Sequence, residues 1–103
     1  MNLITNTPFD RLTLRMEAES RRLCVADDLY VFAHASGNMN PLHIPDADGD
    51  GDGKPDPKAV APAAWIGSLI SAVLGNELPW PGTIYESQTL RFLGRAHAGD
   101  TLV

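Results

Sequence analysis

The sequence predicts an α+β domain, and three stretches carry the prediction. Residues 12–25 alternate apolar and polar side chains imperfectly through Leu12, Leu14, Met16, Leu23 and Val25, the two-residue period of a strand. Residues 62–75, "PAAWIGSLISAVLG", are apolar nearly all round, which predicts a buried helix rather than a surface one. Residues 83–93 are rich in Thr, Ile, Tyr and Phe, which suit a pleated surface. Strands before and after a central helix place a sheet against that helix. At 103 residues the chain is one domain, 1–103, with a marginal core.

Each element has local support. Within residues 27–36, Leu29, Phe32, Ala33 and Ser36 fall at helical spacing, and Asp27 and Asp28 suit the positive end of the helix dipole. Gly37 is the natural stop, because glycine tolerates the left-handed cap conformation. Residues 38–61 show no periodicity and are dominated by Gly, Pro and Asp, so they read as a long loop. Pro62 and Gly75 suit the start and end of the central helix. Its small residues Ala64, Ser68 and Ala72 would let a sheet backbone approach. "NELPWPGT" and "GRAHAGD" are turns, and "TLV" opens a further strand.

Bulk properties exclude several functions. A net charge of −5, with the basic residues scattered, argues against a nucleic-acid surface. The longest apolar run, residues 63–74, is far short of the ~20 residues a membrane span needs. The first twelve residues lack the basic region and apolar run of a secretory leader. One cysteine, Cys24, allows no internal disulfide and suits a reducing compartment; its apolar neighbours predict inert burial. The expectation is a soluble, cytoplasmic protein.

The long loop holds two signals in succession. The second, "DGDGDGKPD" from residue 48, has the layout of a calcium loop. Counting from Asp48, oxygen ligands fall at positions 1, 3, 5 and 9 as Asp48, Asp50, Asp52 and Asp56, with Gly53 at position 6. Position 12 is Ala59, which supplies no carboxylate, although short D-x-D-x-D-G-x-x-D calcium motifs also lack that residue. The bland reading is a solvated linker whose aspartates repel one another. His34, His43 and His97 show no zinc spacing, and no phosphate-binding glycine loop is present.

The first signal, "FAHASGNMNPLH", resembles the motif F-A-x-x-S-G-D-x-N-P-x-H of the MaoC-like, (R)-specific enoyl-CoA hydratases. "GSLISAVLGNELPWPGTIYESQTLRFLGRAHAGDTL" resembles that family's central helix and following strand. The "LPWPGTIY" run is especially similar to the hydratase-like domain that precedes phosphate acetyltransferase in some bacterial fusion proteins. The resemblance implies a hot-dog fold, an antiparallel sheet wrapped around a central helix, acting on acyl-CoA thioesters of fatty acid metabolism. It also implies a homodimer, no metal, and hydration of trans-2-enoyl-CoA. In the family an aspartate and a histidine activate water, and backbone N–H groups at the helix start polarise the thioester carbonyl.

Mapped onto this chain, the histidine is His43, while Asn38 stands where the aspartate is expected. An amide has no basic oxygen, so it orients water without taking its proton. Losing a general base typically costs ~100- to 10,000-fold in rate. Asn40, Ala63 and Ser71 map to substrate-binding positions, with Pro62-Ala63 replacing the family's His-Gly. The expectation is therefore a hydratase-like domain impaired at its base. The alternatives are a non-catalytic thioester-binding or regulatory domain, or a hot-dog thioesterase using Glu86. The family continues past "GDTL" with further strands. The chain is thus expected to be truncated at its C-terminal end, as a fragment, a borrower of a partner's strands, or a short sheet with an open edge.

Overall fold

The computed structural model describes residues 7–56, 58–79 and 81–103. Pro57, Trp80 of the predicted "NELPWPGT" turn, and the first six residues of the segment examined for a leader lie outside them. A 3-10 turn at Phe9–Arg11 comes first, then strand β1, Arg22–Leu23, and helix α1, Ala26–Ser36. A second 3-10 turn, Pro41–His43, opens the long loop; helix α2, Ala63–Asn76, follows it, and strand β2, Thr101–Leu102, ends the order.

Helix α1 forms where its pattern places it. Asp28 accepts from the Val25 N–H at 3.0 Å, satisfying a donor that the helix start leaves open. The other Asp28 carboxylate oxygen pairs with the Arg22 guanidinium. The helix stops at Gly37, whose φ of 77° is left-handed and whose N–H donates to the Ala33 carbonyl at 2.8 Å. Leu29 and Ala33 are its buried face. Leu29 belongs to a core cluster with Cys24, Ala59, Ala61, Trp65 and Ala96.

The sheet is smaller than the sequence predicts. The strand expected over residues 12–25 shrinks to Arg22–Leu23, paired antiparallel with β2 in the register Arg22↔Leu102 and Leu23↔Thr101. Just beyond the ladder, the Cys24 N–H donates to Asp100 O at 2.8 Å and the Gly99 N–H donates to Cys24 O at 2.7 Å. Residues 83–93 do not form a ladder. Among the described residues, those from 84 to 93 make no backbone–backbone hydrogen bond. Strand propensity measures how side chains fit a pleated surface, but a ladder also needs a partner. Among the described residues 83–93 gains no ladder partner; the side chains of Gln88 and Leu90 lie beside Gly67 of the central helix instead.

The central helix is consequently less covered than its composition predicts. Trp65 is its one buried residue among those described; Ile66 and Leu69 are half-buried, and Ile70 is exposed. Ala64, Ser68 and Ala72 face solvent rather than a sheet backbone. The radius of gyration is 16.5 Å, against the ~13 Å expected of a fully compact chain this long. Ile84 and Leu93 are 88% and 85% exposed.

Candidate active site

The motif loop is built by side chains capping their own backbone. Asn38 Oδ1 accepts from the Asn40 N–H at 3.2 Å, and Asn40 Oδ1 accepts from the Leu42 N–H at 3.1 Å. Asparagine favours such local turns. The second of these contacts caps the 3-10 turn Pro41–His43, where Pro41 pre-sets the first backbone angle. The His43 N–H then donates to Asn40 O at 2.9 Å. From α1, the Tyr30 hydroxyl donates to Pro45 O at 3.0 Å and ties the loop to the helix.

His43 itself is fixed from the far side of the loop. Its Nδ1 lies 2.7 Å from the Val60 carbonyl oxygen, while the Val60 N–H donates to Leu42 O at 3.0 Å. A carbonyl only accepts, so Nδ1 carries the proton and donates. In the neutral ring this leaves the Nε2 lone pair available to hold a water. Val60 is held in turn: it bridges His97, with Ala61 N–H donating to Ala96 O at 2.7 Å and Ala98 N–H to Ala59 O at 3.0 Å.

A cavity of about 390 Å³ opens beside His43, with Val60, Ala63, Ile66, Phe92 and Arg95 among its walls. Ala63 is the first residue of α2, and Pro62 before it offers no side-chain cap. The N–H groups of a helix's first turn lack intrahelical acceptors and lie at the positive end of its dipole. One wall of the cavity is thus the start of α2, while another holds the histidine. Asn38, Asn40 and Ser71 do not line this cavity. No carboxylate does so among the described residues, and Asp46, Asp48 and Glu86 are all outside its walls. A larger groove, about 630 Å³, lies elsewhere on α2 against Glu19, Leu69, Val73 and Leu102. It is lined mainly by apolar side chains, α2 residues of the second sequence motif among them, and contains neither His43 nor any other residue of the 38–43 loop.

The acidic loop is ordered around Asp48. Its carboxylate accepts from the Gly51, Asp52 and Gly53 N–H groups at 2.7, 3.1 and 2.6 Å. Those donors, Gly53 first, hold the Asp48 carboxyl below the usual aspartate range. Asp50 goes the other way. The Asp52 N–H favours its charged form, but the hydrogen bond shared with Asp48, desolvation and the charges of Asp52 and Asp56 outweigh that and raise it. Oxygens of Asp48, Asp50, Asp52 and Asp56 lie within 4.8 Å of one another, a separation that two ligands of one calcium ion can span. They would supply four of the six to eight oxygens calcium takes. Position 12, Ala59, is buried in the core and adds none.

Sequence reasoning did not find Val60, because a backbone carbonyl leaves no compositional trace. It also missed Arg95, which lies within a turn by its neighbours and makes no ion pair among the described residues.

No family model matches the chain. It is 33% identical over 92 residues to the 3-hydroxybutyryl-CoA dehydratase of Methylorubrum extorquens, a match covering 89% of this chain and 57% of that protein. It is 38% identical over 76 residues to the (R)-specific enoyl-CoA hydratase of Rhodospirillum rubrum, covering 73% and 51%. The unliganded R-hydratase of Pseudomonas aeruginosa superposes with a TM-score of 0.81 at 37% identity, over 93% of this chain and 61% of that one. Over most of its length the chain is similar to (R)-specific enoyl-CoA hydratases. Its fold is the hot-dog α+β fold that the motifs implied. The chain spans between about half and three-fifths of the length of these relatives. Among the described residues no helix is long and apolar enough to cross a membrane.

Proposed function

We propose that this chain binds a trans-2-enoyl-CoA thioester and adds water across its C2=C3 bond slowly. The hydroxyl oxygen bonds to C3, and a proton is delivered to C2. The observation that carries this reading is the single cavity joining His43, with Nδ1 committed to Val60, to the uncapped start of α2. The α2 N–H groups would stabilise charge on the thioester oxygen. His43 Nε2 would hold the water, and Arg95 on the wall offers a cation to a CoA phosphate. Turnover is slow because Asn38 is no base and its Oδ1 is engaged by the Asn40 N–H. We place the chain in the cytoplasm as a homodimer, in keeping with its lone reduced cysteine and the exposed apolar side chains of residues 83–93.

The cavity's lack of a carboxylate among the described residues favours a second reading, a thioester-binding domain without chemistry. It also weighs against a thioesterase that uses Glu86. Loss of enoyl absorbance with crotonyl-CoA, followed for the parent and for Asn38→Asp, separates these. Turnover by the parent, rising ~100-fold or more in the variant, supports the hydratase reading. Turnover by the variant alone indicates a silenced scaffold that binds. If neither turns over and neither binds crotonyl-CoA by calorimetry, the thioester assignment falls.

A further inference from the structure

The acidic loop and the motif loop meet at one point. The Gly49 N–H donates to Asp56 Oδ2 at 2.9 Å, and the Asp56 N–H donates to Ala47 O at 2.9 Å, folding residues 47–56 back onto Leu42. A Cβ on Gly49 would lie 2.7 Å from Leu42 Cα, 3.1 Å from Leu42 N and 2.8 Å from Asp56 Oδ2. Two of those atoms are backbone and cannot swing aside. Leu42 is also held from other directions, by Asn40 Oδ1 on its N–H and by the Val60 N–H on its carbonyl. It has nowhere to retreat without breaking the contacts that set His43.

Gly49 differs from the other glycines of its loop. Gly51 and Gly53 have φ near +80° and open space where a Cβ would go, so they are needed for their conformation. Gly49 does not require the left-handed conformation, and only the space is forbidden. An alanine there tests the contact alone.

We infer that Gly49 is a positioning residue for His43, with the acidic loop seated against Leu42 to fix where the imidazole stands in the cavity. The inference rests on reading His43 as the residue that holds the attacking water. Displacing a catalytic group by about 1 Å can cost roughly 100-fold in rate.

The test is Gly49→Ala in the parent and in the Asn38→Asp background, with Lys54→Ala on the same loop as control. Crotonyl-CoA kinetics and the ring ¹⁵N and ¹H NMR signals of His43 are both read. The expected result is kcat lower by about 10- to 100-fold, KM within about threefold, and a displaced or broadened Nδ1–H signal. Lys54→Ala leaves all three unchanged. Unmoved His43 signals in Gly49→Ala overturn the inference, whatever happens to kcat or to thermal stability. If Gly49→Ala does not fold, Asp56→Asn reads the same contact by weakening the tether on the Gly49 N–H. A smaller shift of the His43 ring signals is then expected, and its absence is refuting. If neither background hydrates crotonyl-CoA, the hydratase reading fails separately. A His43 shift would still sustain the positioning role, and no shift would overturn it.

Discussion

Replacing Leu29 with alanine tests the core and the site together. Leu29 is 1% exposed, and its surroundings include Cys24, Ala59, Ala61, Trp65 and Ala96. Truncation removes three carbons, worth about 2.4 kcal/mol at roughly 0.8 kcal/mol per buried carbon. Three of the neighbours are alanines, with no longer side chain to swing into the void, so a cavity cost remains. The total is about 3–4 kcal/mol, inside the usual range for Leu→Ala. For a chain this short, each kcal/mol lowers Tm by about 4–8 °C, which predicts a fall of roughly 12–30 °C by circular dichroism. Leu14→Ala, at a side chain 96% exposed, should stay within about 0.5 kcal/mol of the parent. A Leu29→Ala loss under about 1 kcal/mol, or one matching the Leu14 control, would mean that α1 does not seat as described. The reasoning that runs from α1 through Ala59–Ala61 to Val60 and His43 would fall with it.

Other outcomes follow from the same geometry. Asn40→Ala removes the cap on Leu42 and should cost about 1 kcal/mol in urea unfolding; an unchanged midpoint would deny the cap its role. Arg95→Ala should raise KM for crotonyl-CoA about threefold to tenfold while sparing crotonyl-pantetheine, which lacks the nucleotide phosphates; equal effects on both would remove Arg95 from phosphate recognition. Burial first, then the charges of Asp28 and Asp100, raises the Cys24 thiol, with Arg22 acting against them. Native Cys24 should therefore be alkylated at least about a hundredfold more slowly than in urea, and a rapid native reaction would contradict its burial. In the acidic loop, Asp48 is lowered, so its contribution to stability is present above the unfolded aspartate value and lost as pH falls through its folded one. Asp50 is raised, so its contribution is full below the unfolded value and is lost as pH rises through its folded one. Carboxyl ¹³C titration should find Asp50 above the ordinary aspartate range and Asp48 below it, and the reverse order would refute the hydrogen-bond assignment.

Helix α1, its Gly37 stop and α2 were legible because each depends on neighbours close in sequence, and the burial of Cys24 was legible from its apolar flanks. The motif loop was legible as a pattern of residue types. What asparagines 38 and 40 do there was not, since either side chain can face a substrate or cap a turn. The strands were misjudged for a physical reason. Alternation in 12–25 and β-propensity in 83–93 report a tendency that a paired neighbour must complete, and only Arg22–Leu23 gains one. The exposure of α2 follows from that shortfall, not from its own residues. Val60 and Gly49 lay beyond sequence reasoning altogether. One acts through a main-chain oxygen, and the other through a distance to a chain segment seven residues away.

The β1–β2 ladder joins residues almost 80 positions apart, and that separation has a kinetic meaning. Closing so long a loop costs about 4 kcal/mol of chain entropy before any contact repays it. Two residue pairs, at roughly 1 kcal/mol per hydrogen bond, do not meet that cost alone. The contacts of residues 59–61 with 96–98 span fewer than 40 positions and bring the distant segments near each other first. Hydrogen exchange should follow that sequence, with the Ala61 and Ala98 amides protected more strongly than those of Arg22 and Leu102, the hydrogen-bonded pair of the ladder. The seam between the two ends is then the last part of the molecule to close and the first to open.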